Sequence, residues 1–145
     1  MNIKGNVQKL VSKYHTNNPF CLCELLGIEV YYEDLGQLLG YYDVHFRMKP
    51  IHINYNAPDE LYPFICAHEL GHAILHPKLN TPFLSKYTMF SIDKIERQAN
   101  TFAVELLLPD ELLFNHYDIN FSSLTLSHGV PRGLELLKYP FIIGK

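Results

Sequence analysis

The sequence predicts an α+β fold: a small three-stranded sheet packed against a pair of helices bearing candidate metal ligands, with additional helices toward the N- and C-terminal ends. Three observations lead there. Residues Asn56–His76 read as a helix that is apolar nearly all round and contains His68-Glu69-Leu70-Gly71-His72. Ser91–Pro109 reads as a second helix, with a face of small side chains around Glu96. Between Ile28 and Asn54 lie three short segments rich in β-branched and aromatic residues.

Along the chain, Ile3, Val7, Leu10, Val11 and Tyr14 recur at helical spacing with lysines between them, which predicts an amphipathic helix over Ile3–Tyr14. Asn18 as N-cap, Pro19 at the first helical position and Gly27 beyond the last turn bracket a short second helix. Ile28–Tyr32 and Gly40–Phe46 read as strands, and Arg47–Pro50 connects to a third, where Ile51 and Ile53 alternate with His52 and Asn54. Its position ahead of the His68 helix suggests that this third strand pairs with an extended substrate. Asn56–Asp59 opens the long helix, with Pro58 early and Asp59 and Glu60 at the positive end of the dipole. Pro77–Phe90 reads as a loop whose Phe83, Leu84, Tyr87 and Phe90 either hold substrate side chains or pin the loop to the core. After Ser91–Pro109, short helices are expected at Asp110–His116, Phe121–Leu126 and Pro131–Tyr139, packed against the rest. Their only cations are Arg132 and Lys138, too few for a DNA-reading face.

The chemistry sits in the two long helices. His68 and His72, four residues apart, stand on one helix face and can reach one metal ion, while Glu69 lies about 100° round and can act as general base without being a ligand. With eight His in the chain, a shuffled sequence would contain this pattern roughly 0.03 times, so accident is a poor explanation. Gly71 inside the helix costs about 1 kcal/mol against Ala, which close packing at the site would offset. On the second helix Asn100, Ala103 and Leu107 fall within about 40° of Glu96, and Ala99 about 60° away. The alanines allow another helix to approach. Glu96 can then supply a third ligand, and Asn100 can accept the other N–H of a ligating imidazole. Two imidazoles and one carboxylate leave a fourth tetrahedral position open, which distinguishes a catalytic zinc site from a closed structural one. Of the groups able to stabilise an oxyanion, Tyr42, Tyr87, His116 and His128, no motif favours one.

His76 follows His72 by four residues. The longer motif that would make it a ligand requires Gly at 75 and His at 78, where this chain has Leu75 and Lys78. It reads as a helix C-terminal cation or a surface imidazole in preference to a group behind a ligand.

A length of 145 residues with 48% hydrophobic and 19% charged residues suits one domain over 1–145. A net charge of -3 without a Lys/Arg cluster argues against a phosphate-holding surface, so no direct nucleic-acid binding is expected. No apolar run approaches twenty residues and the first twenty have no leader pattern, so neither a membrane nor export is expected and the cytoplasm is the predicted location. Cys21, Cys23 and Cys66 have no paired spacing and read as reduced thiols, with Cys66 about 160° from His68 on its helix.

HELGHAILHP followed by ExxANxFAxxLLLP resembles the ImmA/IrrE metallopeptidase family, and TxNPF at Thr16–Phe20, ELLGIEV and DLGQLLGYY agree with it. The resemblance runs from about Val7 to Pro109. It implies a zincin-like helix pair, with His68, His72 and Glu96 as ligands of Zn2+ and Glu69 as catalytic acid/base. It further implies an endopeptidase whose protein substrate is a helix-turn-helix repressor of a mobile element or stress regulon. The alternative is a binding module that keeps the peptidase fold and inactivates its partner without cleaving it.

Overall fold

The structure, a computed structural model, describes residues 1–43, 50–79, 83–84, 94–115 and 121–138. Helix α1 spans Ile3–Tyr14; the Asn2 side chain accepts the Gly5 N–H at its start, and His15, in the left-handed conformation, closes its end. Helix α2 is Pro19–Leu25, capped by Asn18, whose Oδ1 accepts the N–H groups of Phe20 and Cys21. Its end is a Schellman motif: Gly27 takes φ 74°, the Gly27 N–H bonds Glu24 O, and the Ile28 N–H bonds Cys23 O. That last bond is why β1 begins at Val30 rather than at Ile28. The backbone of Ile28 is committed to the helix end.

Strands β1 (Val30–Glu33), β2 (Leu38–Tyr42) and β3 (Ile51–Asn54) form the expected three-stranded sheet, which is mixed. β3 lies in the middle, parallel to β1 and antiparallel to β2, and a two-residue strand β4 (Phe83–Leu84) adds to the far side of β2. The central position of β3 overturns the expectation that Ile51–Asn54 pairs with substrate, because both of its edges are taken. β2 starts two residues earlier than expected; its expected continuation at Val44–Phe46 lies outside the described residues. Ile51 and Ile53 are fully buried, whereas His52 faces the opposite side between Tyr41 and Tyr31. Asn54, also buried, donates to the carbonyls of Gly36 and Leu38 and accepts from the Asn56 N–H, so it fixes the turn that leads into β2.

A 3-10 turn at Asp59–Leu61 leads into α3 (Tyr62–Leu75), in which every residue from Phe64 to His72 is buried. The expected central helix is therefore the core element. One side packs on the sheet and the other on α4 (Lys94–Leu107), with α1 against the far flank of α4. Asn17 donates to Leu106 O at the C-terminal end of α4, satisfying a carbonyl the helix leaves open. Helices α5 (Asp110–Asn115) and α6 (Phe121–Ser127) and a 3-10 helix at Leu134–Lys138 complete the described chain. The turn at Gly129 (φ 86°) sits against Pro63 and Glu60, and the last 3-10 helix packs on α4.

Candidate metal centre

The i,i+4 spacing on α3 places the rings of His68 and His72 edge to face, with centroids 4.8 Å apart. The approach of α4 supplies the carboxylate: Glu96 Oε1 lies 3.0 Å from His72 Nε2 and 3.5 Å from His68 Nε2. Ala99 and Ala103 are fully buried in this contact and Gly71 faces Phe102, so small residues on both helices allow the approach. One ligand atom from each of His68, His72 and Glu96 falls within 4.8 Å of the others. Metal–ligand bonds of about 2.0–2.1 Å at tetrahedral angles put neighbouring ligand atoms about 3.3–3.4 Å apart. The observed 3.0 and 3.5 Å bracket that edge, so the two histidine–carboxylate separations and the donor set fit a divalent ion.

The environment points the same way. Burial raises the Glu96 carboxyl, but hydrogen bonds from His68 and His72 outweigh it and hold the group at about 2, ionised. Burial pulls His72 below the ordinary imidazole value despite Glu96, which favours the neutral ring a metal requires. Among the described residues Glu96 Oε2 is buried without a hydrogen-bond partner, as are both carboxylate oxygens of Glu69. An unsatisfied buried carboxylate costs several kcal/mol when charged, and burial followed by the charge of Glu96 pushes the Glu69 carboxyl well up. A cation between these groups offsets both costs.

Behind the ligands, His68 Nδ1 lies 2.8 Å from Asn100 Oδ1. His72 Nδ1 lies 3.0 Å from His76 Nδ1, and His76 Nε2 lies 2.7 Å from Gln98 Oε1. His76 is buried, so the surface reading of that residue is corrected. It caps the helix at φ -131°, ψ 55°, one turn after His72, and its ring meets that of His72.

Two further residues had gone unnoticed in the sequence. Gln98, about 200° from Glu96 on the wheel, gives no sequence signal for this role. Gly40 gives one, a glycine inside a strand: a Cβ there would meet His52 O and Ile65 Cγ2 at 2.7 Å and Glu69 Cγ at 3.7 Å, so its absence lets α3 lie on β2 beneath Glu69. Among the oxyanion candidates, Tyr42 is buried with its hydroxyl donating to Pro77 O, and His128 bonds Leu124 O away from the cluster. Tyr87 and His116 lie outside the described residues, as do Tyr87 and Phe90 of the expected substrate loop, whereas Phe83–Leu84 form β4. Cys66 points toward Cys23, sulfur to sulfur 3.8 Å, and takes no part in the cluster; the contact with Cys23 and then burial push its thiol well up.

A helix pair that gathers two imidazoles and a carboxylate next to a buried glutamate, on an α+β frame, defines the class as metallopeptidase. Residues 23–127 match the IrrE N-terminal-like domain of the M78 peptidases. The chain is 45% identical over 139 residues to "Uncharacterized immunity region protein 2" of Bacillus phage phi105, covering 94% of this chain and 88% of that one. It is 39% identical over 113 residues to "Metallopeptidase ImmA" of Bacillus subtilis (strain 168), covering 77% and 66% respectively. The chain belongs to the ImmA/IrrE family. Among the described residues no helix is long and apolar enough to cross a membrane.

Proposed function

We propose that this chain is a zinc-dependent endopeptidase that cleaves a helix-turn-helix repressor in the cytoplasm. The observation that supports it best is the buried His68–His72–Glu96 cluster beside a Glu69 whose two oxygens have no partner among the described residues. His68, His72 and Glu96 would hold the ion, and Asn100, 2.8 Å behind His68, would fix that ring with its Nε2 lone pair forward. When bound, zinc supplies Lewis acidity to the scissile carbonyl and to the attacking water. Glu69 takes the proton of that water on a carboxylate oxygen and delivers it to the departing amine nitrogen. Among the described residues nothing competes for those oxygens. A purely structural site has no use for such a carboxylate.

The names of the relatives, one for a phage immunity region and one for a metallopeptidase, support a repressor as the substrate. The contact is with protein rather than DNA: Lys138, one of the two Lys/Arg residues in the expected C-terminal helices, is buried in ion pairs. The test is co-expression with a helix-turn-helix repressor, sought among the products of adjacent genes, followed by mass spectrometry of the products. Wild type is expected to give two fragments, and Glu69→Gln to keep its zinc and leave the repressor whole. An intact repressor beside zinc-loaded wild type, or cleavage by Glu69→Gln, overturns the reading.

A further inference from the structure

Two contacts lead outward from His72, on the side away from the cluster. His72 Nδ1 meets His76 Nδ1 at 3.0 Å, and His76 Nε2 meets Gln98 Oε1 at 2.7 Å. A neutral imidazole has one N–H and one lone pair, so two rings in series can be polarised in only two ways. With the Gln98 oxygen as terminal acceptor, His76 has its proton on Nε2 and turns the Nδ1 lone pair to His72. His72 then has its proton on Nδ1, and its Nε2 lone pair is free for a metal. With the Gln98 amide reversed, each proton moves one place and His72 Nε2 bears a hydrogen where the ion would bind. The 3.0 Å contact of that nitrogen with Glu96 is the edge an ion would bridge, so only the first arrangement is compatible with metal.

We propose that His76 and Gln98 are positioning residues that fix the tautomer and ring orientation of His72 for metal binding; this rests on the metal reading above. The backbone of His76 is fixed where the helix ends: its N–H donates to His72 O, its carbonyl accepts from Leu79 N, and the next carbonyl, of Pro77, accepts the Tyr42 hydroxyl. From that fixed Cα the ring is held by its own two contacts, with His72 Nδ1 and Gln98 Oε1. Helix α4 thus provides one ligand and the acceptors behind both histidines: Glu96 at the ion, Asn100 behind His68 and Gln98 at the end of the His72 chain. Any rotation of α4 moves all three together, which couples helix docking to the orientation of the ligands.

The direct test is a long-range proton–nitrogen correlation spectrum of the zinc-loaded, histidine-labelled chain. His68 and His72 are expected protonated on Nδ1 and His76 on Nε2. His76 protonated on Nδ1, or on both nitrogens, overturns the proposal. A second test is zinc affinity by competition with a fluorescent chelator, alongside thermal unfolding of the metal-free proteins. His76→Leu is expected to weaken zinc about ten- to hundredfold, while the metal-free fold keeps its midpoint. His76→Gln, whose amide oxygen can accept from His72, is expected to recover most of that loss, and Gln98→Leu to fall between. Wild-type affinity in His76→Leu, or a loss that His76→Gln does not restore, overturns the proposal. A wild type that takes up no zinc overturns the metal reading instead.

Discussion

A Cβ built on Gly71 would lie 3.1 Å from both Cβ and Cδ1 of Phe102, so helices α3 and α4 meet closer at this point than two ordinary side chains allow. The contact is one residue from His72 and six from Glu96 along the chain. It therefore helps set the separation on which the 3.0 Å distance between their donor atoms depends.

Gly71→Ala should lower stability although it improves helix propensity by about 1 kcal/mol. Phe102 is fully buried and one of the contacted atoms is its Cβ, tied to the α4 backbone, so the ring cannot swing aside. Overpacking of this kind costs about 1–3 kcal/mol, which offsets or exceeds the propensity gain, and displacement of α4 carries Glu96 away from the histidines. Thermal unfolding with and without chelator is expected to show a lower midpoint and a smaller stabilisation by zinc. A variant with the wild-type midpoint and zinc response would show that Phe102 gives way freely.

What the sequence disclosed and what it concealed follow from the range of the interactions involved. His68 and His72 were legible because a helix repeats locally, and the face shared by Glu96 and Asn100 was legible for the same reason. The meeting of the two helices was foreshadowed by Ala99, Ala103 and Gly71, whose small size has a purpose only at a close approach. Strand β1 starts late because Ile28 bonds back to Cys23, a competition that propensity does not weigh. β4 owes its existence to a partner strand more than forty residues earlier, and no pattern within Phe83–Leu84 announces it. His76 stood at i+4 from His72, but its burial and its bond to Gln98 depend on the second helix, and Gln98 itself lies about 200° from Glu96, off the face that sequence reasoning singles out.

Glu69→Gln should stabilise the metal-free protein, and by more as the pH rises. Burial and the nearby Glu96 push the Glu69 carboxyl well above its ordinary value. A carboxyl raised by folding favours the native state below its unfolded pKa, and that contribution is lost as the pH climbs through the folded value. Glutamine removes the charge but not the unsatisfied polar atoms, so it avoids only the part of the penalty that grows with pH. Urea unfolding in chelator is expected to give a gap between variant and wild type that is wider at pH 8 than at pH 5. A gap of constant size would mean that Glu69 ionises in the folded protein as freely as in water.

Lys138→Met should cost clearly more stability than loss of the other lysine in the same network. Its side chain is only 1% exposed, with Nζ at 2.6 Å from Glu105 Oε1 and 2.7 Å from Asp110 Oδ1, so it ties the last 3-10 helix to α4 and α5. Lys4 reaches the other oxygen of Asp110 at 2.7 Å, which adds α1 to the same network, but Lys4 is 43% exposed. Breaking a buried pair costs about 3–5 kcal/mol, here reduced to about 2–3 because Asp110 is 27% exposed, whereas the exposed Lys4 pair is worth about 1 kcal/mol or less. Lys4→Met is the control. The pH dependence has a definite sign: burial raises the Asp110 carboxyl, hydrogen bonds from Lys138 and Lys4 outweigh it, and the group is held below 3.8. Its stabilisation is present above that value and disappears as the pH falls through the lower folded one. The stability lost in Lys138→Met, read by urea unfolding, is expected to be large at pH 7 and to shrink at pH 3. Equal losses at the two pH values would mean that the Asp110 charge contributes nothing through Lys138, and an equal loss in Lys4→Met would mean that burial does not strengthen the Lys138 pair.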